Sequence, residues 1–275
     1  MKQIMIKITA FLFLATLSSC GIDMLNRIEG NKNVISINRD ISDDFTKVKV
    51  SAGIELIIDQ GNEVSLTVEA DENLHDIIIT EVEDGKLKIY SEKNIWKSAA
   101  KKVYLTVNTL EELKASSGSN VITSTILKAT DLNVGSSSGA RLAIEVIAVN
   151  LTSRTSSGAS ANIEVNANNV VSSSSSGSNM KIKGKISADG ELVLLGSVVG
   201  DIKCHSLSVE GTGNLKGNID ADIVNVSGKC DGQVSAEVVS IQSSGKISGD
   251  IFYENISIEE GAIVEAQISK RKNKN

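Results

Sequence analysis

VVSSSSSGSN, residues 170–179, runs five serines into Gly177. In isolation it is a flexible Ser-rich linker that would divide the chain into two domains. Beside its neighbours it is the fourth copy of a unit. KASSGSN ends at Asn120, GSSSGAR at Arg141, RTSSGAS at Ser160 and SSSSGSN at Asn179. The glycines of the four copies, Gly118, Gly139, Gly158 and Gly177, recur at a nearly constant interval. Leu113, Leu132, Leu151 and Val170 lead the units, and their interval does not vary at all. Between the glycines run β-prone pieces such as ARLAIEVIAVNLT, with no sustained helical period and no clear capping box.

A second series follows directly. Gly184-Lys-Ile186, Gly200-Asp-Ile202, Gly217-Asn-Ile219, Gly232-Gln-Val234 and Gly249-Asp-Ile251 share one frame, and Ala266-Gln-Ile268 closes it. Their aliphatic positions, from Ile186 to Ile268, recur at a slightly shorter interval than the leucines of the first series. A second glycine lies four positions before the middle units, at Gly196, Gly213, Gly228 and Gly245.

A repeat of this length, holding two or three short strands, is one turn of a parallel β-helix. Each strand stacks on its equivalent in the next turn, roughly 4.8 Å away. Glycines mark corners where the backbone needs positive φ or where a side chain would clash. The fold expected is therefore all-β, a right-handed parallel β-helix of about ten coils and roughly 45–50 Å long. Propeller repeats of about 40 residues do not match, and a sandwich has no fixed register. The absence of proline suits a chain that is almost all paired strand. No aromatic residue lies between Leu105 and Ile251, so small and branched aliphatics must fill a narrow core. Residues 45–110 are less regular and hold Phe45, Tyr90, Trp96 and Tyr104. They read as a β cap that closes the N-terminal end of the core.

The register also places the cysteines. Cys230 falls in the column of Val198, Leu215 and Ile247, and Cys204 in that of Ala221 and Ala236. In different columns they cannot approach to disulfide distance, so both are expected to be free and buried.

The front of the chain gives a compartment. Lys2 and Lys7 precede a short apolar run, Ile8–Leu17, too short to span a bilayer as a helix. Leu17-Ser18-Ser19-Cys20 follows, which is similar to a bacterial lipobox. This resemblance implies a signal peptide at 1–19 and lipidation at Cys20. The competing reading is an ordinary signal peptide with a chance cysteine. Removal of 1–19 takes two lysines and no acid, so the net charge of −6 becomes −8. An acidic chain suits no nucleic acid. Residues 20–44 read as a lipid-proximal spacer. Lys270-Arg271-Lys272-Asn273-Lys274 lies in a basic, disordered tail, 269–275, with contact to lipid phosphates as the alternative.

Two families are similar in sequence. Phe45-x-x-Val48-x-Val50, Gln60-Gly61, D-G-K-L-K-I at 84–89 and the S-S-G-[AS] units resemble the head GIN domain of autotransporter adhesins over residues 45–180. This resemblance implies a right-handed β-helix in the cell envelope, with no established activity. Residues 181–268 resemble bactofilins, through the G-x-aliphatic-x-G-[DN]-Ile units and Ile256-Ser-Ile-Glu-Glu-Gly-Ala262. That resemblance implies end-to-end polymers, although an export signal departs from the bactofilin pattern. The two halves are expected to share one continuous core.

No catalytic, cofactor-binding or metal site is expected. Gly135-Ser-Ser-Ser-Gly139 fits a nucleophile elbow, but it joins strand to strand, and the only histidines, His75 and His205, are remote in sequence. Two histidines and two buried thiols are too few for a metal centre. Asp201, Asn218, Gln233 and Asp250 form a column of corner residues that reads as turn chemistry. The corner glycines Gly118, Gly139, Gly158, Gly177, Gly200, Gly217, Gly232 and Gly249 are structural. Three classes of function stay open: a non-catalytic envelope lipoprotein presenting a rigid rod for adhesion, a scaffold polymerising through rod ends, and a polysaccharide-active enzyme. The expected partners are a membrane, reached through a lipid anchor, an unidentified protein or glycan, and a second copy joined end to end. The outer membrane is the expected location, on a face the sequence leaves open.

Overall fold

A computed structural model describes residues 27–271, and for 184–191 the backbone alone. The expected signal peptide, Cys20 and residues 272–275 lie outside the described residues. Among the described residues, strands make up 68% and no α-helix is present.

The N-terminal strands are β1 (Arg27–Glu29), β2 (Val34–Arg39), β3 (Lys47–Val50), β4 (Glu55–Gln60), β5 (Ser65–Asp71), β6 (Ile78–Glu83), β7 (Lys86–Ser91), β8 (Asn94–Lys97) and β9 (Lys101–Val107). The coils then run through β10 (Glu112–Ala115), β11 (Asn120–Thr123), β12 (Leu127–Ser136), β13 (Arg141–Thr155), β14 (Ser160–Ser174), β15 (Asn179–Leu195), β16 (Ser197–Val199), β17 (Ile202–Val209), β18 (Asn214–Lys216) and β19 (Ile219–Val226). β20 (Lys229–Ile241), β21 (Lys246–Tyr253), β22 (Asn255–Ile258) and β23 (Ile263–Lys270) complete the fold.

From β10 onward every pairing is parallel and links one coil to the next. The strands alternate between buried and exposed residues, as in β13 and β17, because successive side chains point to opposite faces. The buried face is aliphatic: Leu142, Ile144 and Val146 in one coil stack beneath Ala161, Ile163 and Val165 in the next. The serine tract is not a linker. Val170–Ser174 ends β14, Ser175–Ser178 makes a turn, and Asn179 opens β15.

The solenoid has about eight turns rather than ten. The difference lies in the first third of the chain, where residues are spent on closing the end. β2 pairs antiparallel with β5, β5 with β9, and β6 with β7. This antiparallel cap buries Leu66, Val68, Leu74 and Ile78 to 2% exposure or less. The spacer expected at 20–44 is partly incorporated: β1 pairs with β8, and β2 forms an edge of the cap. Arg27 stacks 4.5 Å from the centroid of Trp96, pinning β1 against β8. The basic tail is also shorter than expected, because β23 runs to Lys270 and the Arg271 N–H donates to the Tyr253 carbonyl at 2.8 Å.

At the seam, β14 and β15 hold the register of the first series up to Ala167↔Ile186 and then slip before Val171↔Val193. The longer coils give way there to shorter ones, with Ile186 paired to Ile202. The core continues through the slip, since Val170, Leu192 and Leu194 are all buried.

Candidate functional site

The Ser-Ser-Gly units stack into a tower of turns along one corner. In each, the second serine and the glycine both have positive φ: Ser138 at +49° and Gly139 at +72°, for example. The Ala140 N–H closes that turn onto the Ser137 carbonyl at 3.1 Å. Two successive residues of positive φ define the tight turn that matches strand twist and favours glycine at its second position. The turns also bond to one another. The Gly118 N–H donates to the carbonyl of Ser138, Gly139 to Ser157 and Gly158 to Ser176, at 3.0–3.2 Å. The tower begins one coil earlier than the repeat suggests, at Ser51-Ala52-Gly53-Ile54, whose Gly53 N–H donates to the Ser117 carbonyl at 2.9 Å. The signal was present as S-x-G, but the cap strands separate it from the next copy.

Ser137 therefore sits in a strand-to-strand turn, and neither histidine approaches it. His75 is buried, and its Nε2 lies 3.2 Å from the Ile35 carbonyl and 3.3 Å from that of Ala70. Both contacts are acceptors, so Nε2 carries the proton. His205 pairs instead with Asp222 across coils, at 2.6 Å. Lys203–Asp220 and Lys216–Asp231 are similar exposed cross-coil pairs, each contributing little to stability. Asp201 does corner work: its Oδ1 accepts the Asn218 N–H at 3.1 Å. Asp250 stacks on Gln233, in the column the register predicts. Among the described residues no group of His, Cys, Asp and Glu is placed to hold a metal.

Cys204 and Cys230 are free and buried, in separate columns. Burial pushes both thiols up to about 12, helped at Cys204 by Asp222 and Asp220. Since the thiolate is the reactive form, neither cysteine should react with a thiol reagent in the folded protein. Titration with a chromogenic disulfide should show both appearing only in denaturant.

One buried acid escaped the sequence reading. Asp71 is fully buried at the end of β5. It accepts N–H bonds from Lys32 at 3.0 Å and from Ala99 and Ala100 at 2.9 Å. Burial alone would raise its pKa, but these donors outweigh that and hold the carboxyl below its ordinary 3.8. Nothing in V-S-L-T-V-E-A-D marks Asp71 apart from Glu69, because its donors come from remote turns.

A concave strip lies on the side of the rod. It is a groove of about 400 Å³ lined by Ile122, Thr123, Ala143, Glu145, Asn162, Glu164, Lys181 and Lys183. It forms where the chain leaves the face after β11, at Thr123, so that the next strand along that face is β13. The Thr123 hydroxyl accepts the Glu145 N–H at 3.0 Å. Glu145 stands directly beside Glu164, and Glu164 beside Lys183, on successive coils. Among the described side chains no cation lies within ion-pair distance of either carboxylate. Like charges opposite one another on paired strands are destabilising, so this strip is polar and under electrostatic tension.

With this geometry in hand, comparison with known proteins defines the class. Residues 44–256 match the family described as "Putative auto-transporter adhesin, head GIN domain", and the chain belongs to that family. The match runs through both repeat series. It crosses the expected boundary at 180, and the bactofilin resemblance of the second half is not supported. A crystal structure of a "putative adhesin" from Parabacteroides merdae has the same fold, with a TM-score of 0.61 at 17% identity, covering 90% of this chain and 100% of its own. A "putative adhesin" from Parabacteroides distasonis gives 0.60 at 17%, with the same coverage. A "Putative lipid binding protein" from that organism gives 0.59 at 20%, again covering 90% and 100%. No curated protein matches.

Proposed function

We propose that this chain is a non-catalytic cell-envelope lipoprotein, anchored at Cys20, whose β-helical rod presents its side to a protein or glycan for adhesion. The match to an adhesin family across residues 44–256 carries this reading. It accords with a chain whose histidines are occupied in structural or surface pairs. The strip at Glu145 and Glu164 is the contact face we favour, because two adjacent carboxylates, neither in an ion pair with a described cation, can take hydrogen-bond donors or cations from a partner. The outer membrane is the proposed site of attachment.

The test joins location to binding. Cells expressing the chain should carry it in the membrane fraction, and Cys20→Ala should release it. Purified rod should bind a panel of host-matrix proteins and glycans, and a Glu145→Lys, Glu164→Lys double variant should lose at least about tenfold in affinity, or about 1.4 kcal/mol. No binding to any member of the panel, or binding that the double variant leaves intact, would remove the strip from the account.

A further inference from the structure

Trp96 is the only tryptophan of the chain, and the fold leaves it outside. At 56% exposure it is the most exposed large hydrophobic side chain among the described residues. It stands on the ribbon of β1 and β8, a two-stranded parallel sheet apart from the main one. Ile28 pairs with Ile95 and Glu29 with Lys97, so the register steps over Trp96. An extra residue of this kind re-aims the side chains around it. Ile28 and Ile95 pack on the core, while Trp96 and Lys97 both face solvent. The Arg27 guanidinium and the Lys97 ammonium lie 4.5 Å and 6.0 Å from the centroid of the ring. The ribbon is tied to the cap: the Gly30 N–H donates to the Lys97 carbonyl at 2.8 Å, and the Asn73 side-chain amide donates to the Glu29 carbonyl at 2.9 Å.

The surroundings are cationic in a chain whose net charge is −6. Segments 27–32 and 92–102 carry six basic residues against two acids, Glu29 and Glu92. Lys101 and Lys102 are engaged, by the Ala52 carbonyl and by Glu69. Arg27, Lys93 and Lys97 are exposed, and among the described residues no carboxylate lies within ion-pair distance of them. A tryptophan with an apolar body and a polar edge, ringed by cations, suits the boundary between bilayer and water. There each Lys or Arg gains from anionic headgroups. A platform for single-stranded nucleic acid needs aromatics in series along a basic groove, and this ribbon has one.

We infer that the β1–β8 ribbon is a membrane-docking surface. The ring of Trp96 enters the headgroup region of an anionic bilayer, and Arg27, Lys93 and Lys97 contact lipid phosphates. The inference deepens the envelope reading above and rests on it for the presence of a membrane; the charge and the exposed tryptophan choose the face. Docking through one ring and three cations is reversible and too weak to hold the chain alone, so release by Cys20→Ala is still expected.

The test is co-sedimentation of the chain from Gly21 onward, which keeps every strand of the fold, with lipid vesicles. Vesicle binding reads the ribbon and release by Cys20→Ala reads the anchor, so the two can fail separately. At about 0.05 M salt, vesicles of phosphatidylcholine with about 30% phosphatidylglycerol should bind at least about tenfold more tightly than pure phosphatidylcholine. Most of that binding should vanish at about 0.5 M salt. Because Trp96 is the single tryptophan, its emission should shift to the blue on binding. A Lys93→Glu, Lys97→Glu double variant should bind at least about tenfold more weakly and melt within a few degrees of wild type. Absence of binding to the anionic vesicles overturns the proposal. So does binding that leaves the emission unchanged or that the double variant retains. Equally tight binding of polyglutamate or duplex DNA at the same salt would assign the patch to polyanions in general and overturn it as well.

Discussion

Gly217→Val should destabilise the fold by at least about 4 kcal/mol, the range of severe core disruptions, while Gly139→Ala should cost about 1–2 kcal/mol. Both residues are corner glycines with positive φ, but for different reasons. A Cβ on Gly139 would meet nothing within 4 Å, so only backbone strain opposes a side chain there. Ser138 next to it already adopts φ +49°, which shows that the turn tolerates a side chain in that region. Gly217 has φ +145°, and a Cβ there would lie 2.7 Å from the Gly200 carbonyl carbon and closer still to its oxygen. That neighbour is the backbone of the preceding coil and cannot swing aside. Gly232 stands against Gly217, and Gly249 against Gly232, in the same way. A valine at 217 must therefore pry two coils apart, breaking the ladder on that face. Urea unfolding of both variants measures the contrast. Equal losses at the two sites would show that strain, not stacking, fixes the glycines.

Asp71→Ala should cost about 3 kcal/mol and loosen the cap first, because it leaves three N–H donors without their acceptor in a closed site. The carboxylate joins the turn after β1 to the segment entering β9, so its loss unpins the end that seals the core. Asp71→Asn keeps an acceptor and should recover part of the loss. The pH dependence follows from the lowered pKa. The stabilisation is complete above the unfolded value near 3.9 and disappears as pH falls through the lower folded value. Hydrogen exchange at Ala99 and Ala100, followed against pH in wild type and in Asp71→Asn, reads this directly. Exchange that rises equally in both as the solution is acidified would assign the cap's acid sensitivity elsewhere.

The regular part of this fold is legible in the sequence because stacking imposes a period. Every coil must put its inward residue over the last, so Leu132, Leu151 and Val170 recur at a fixed interval, and the register alone places Cys230 between Leu215 and Ile247. Where stacking stops, legibility stops. The cap follows no period, since β5 and β9 meet antiparallel through contacts that no local pattern encodes. That is why the expected number of coils is too high and why β1 and β2 read as a spacer. The two kinds of corner glycine look alike in sequence because the carbonyl that forbids a side chain at Gly217 belongs to another coil. The groove is invisible for a related reason: Glu145 and Glu164 become neighbours only once the register is known, and the concavity comes from the chain leaving the face at Thr123. The family match runs through the second half as far as residue 256. Its units obey the same stacking constraint, within one domain.

The central claim is that the serine tract is a coil of one continuous solenoid. Two deletions test it most directly. Removing residues 159–177 takes out one whole repeat of 19 and rejoins strands in register. It should give a shorter rod with one cooperative transition and a melting temperature within a few degrees of wild type. Removing only residues 170–179 takes half a repeat and misaligns everything beyond it. That variant should fail to fold or melt at least about 15 °C lower. If the shorter deletion melts like wild type, the tract is a linker after all and the continuous core is wrong.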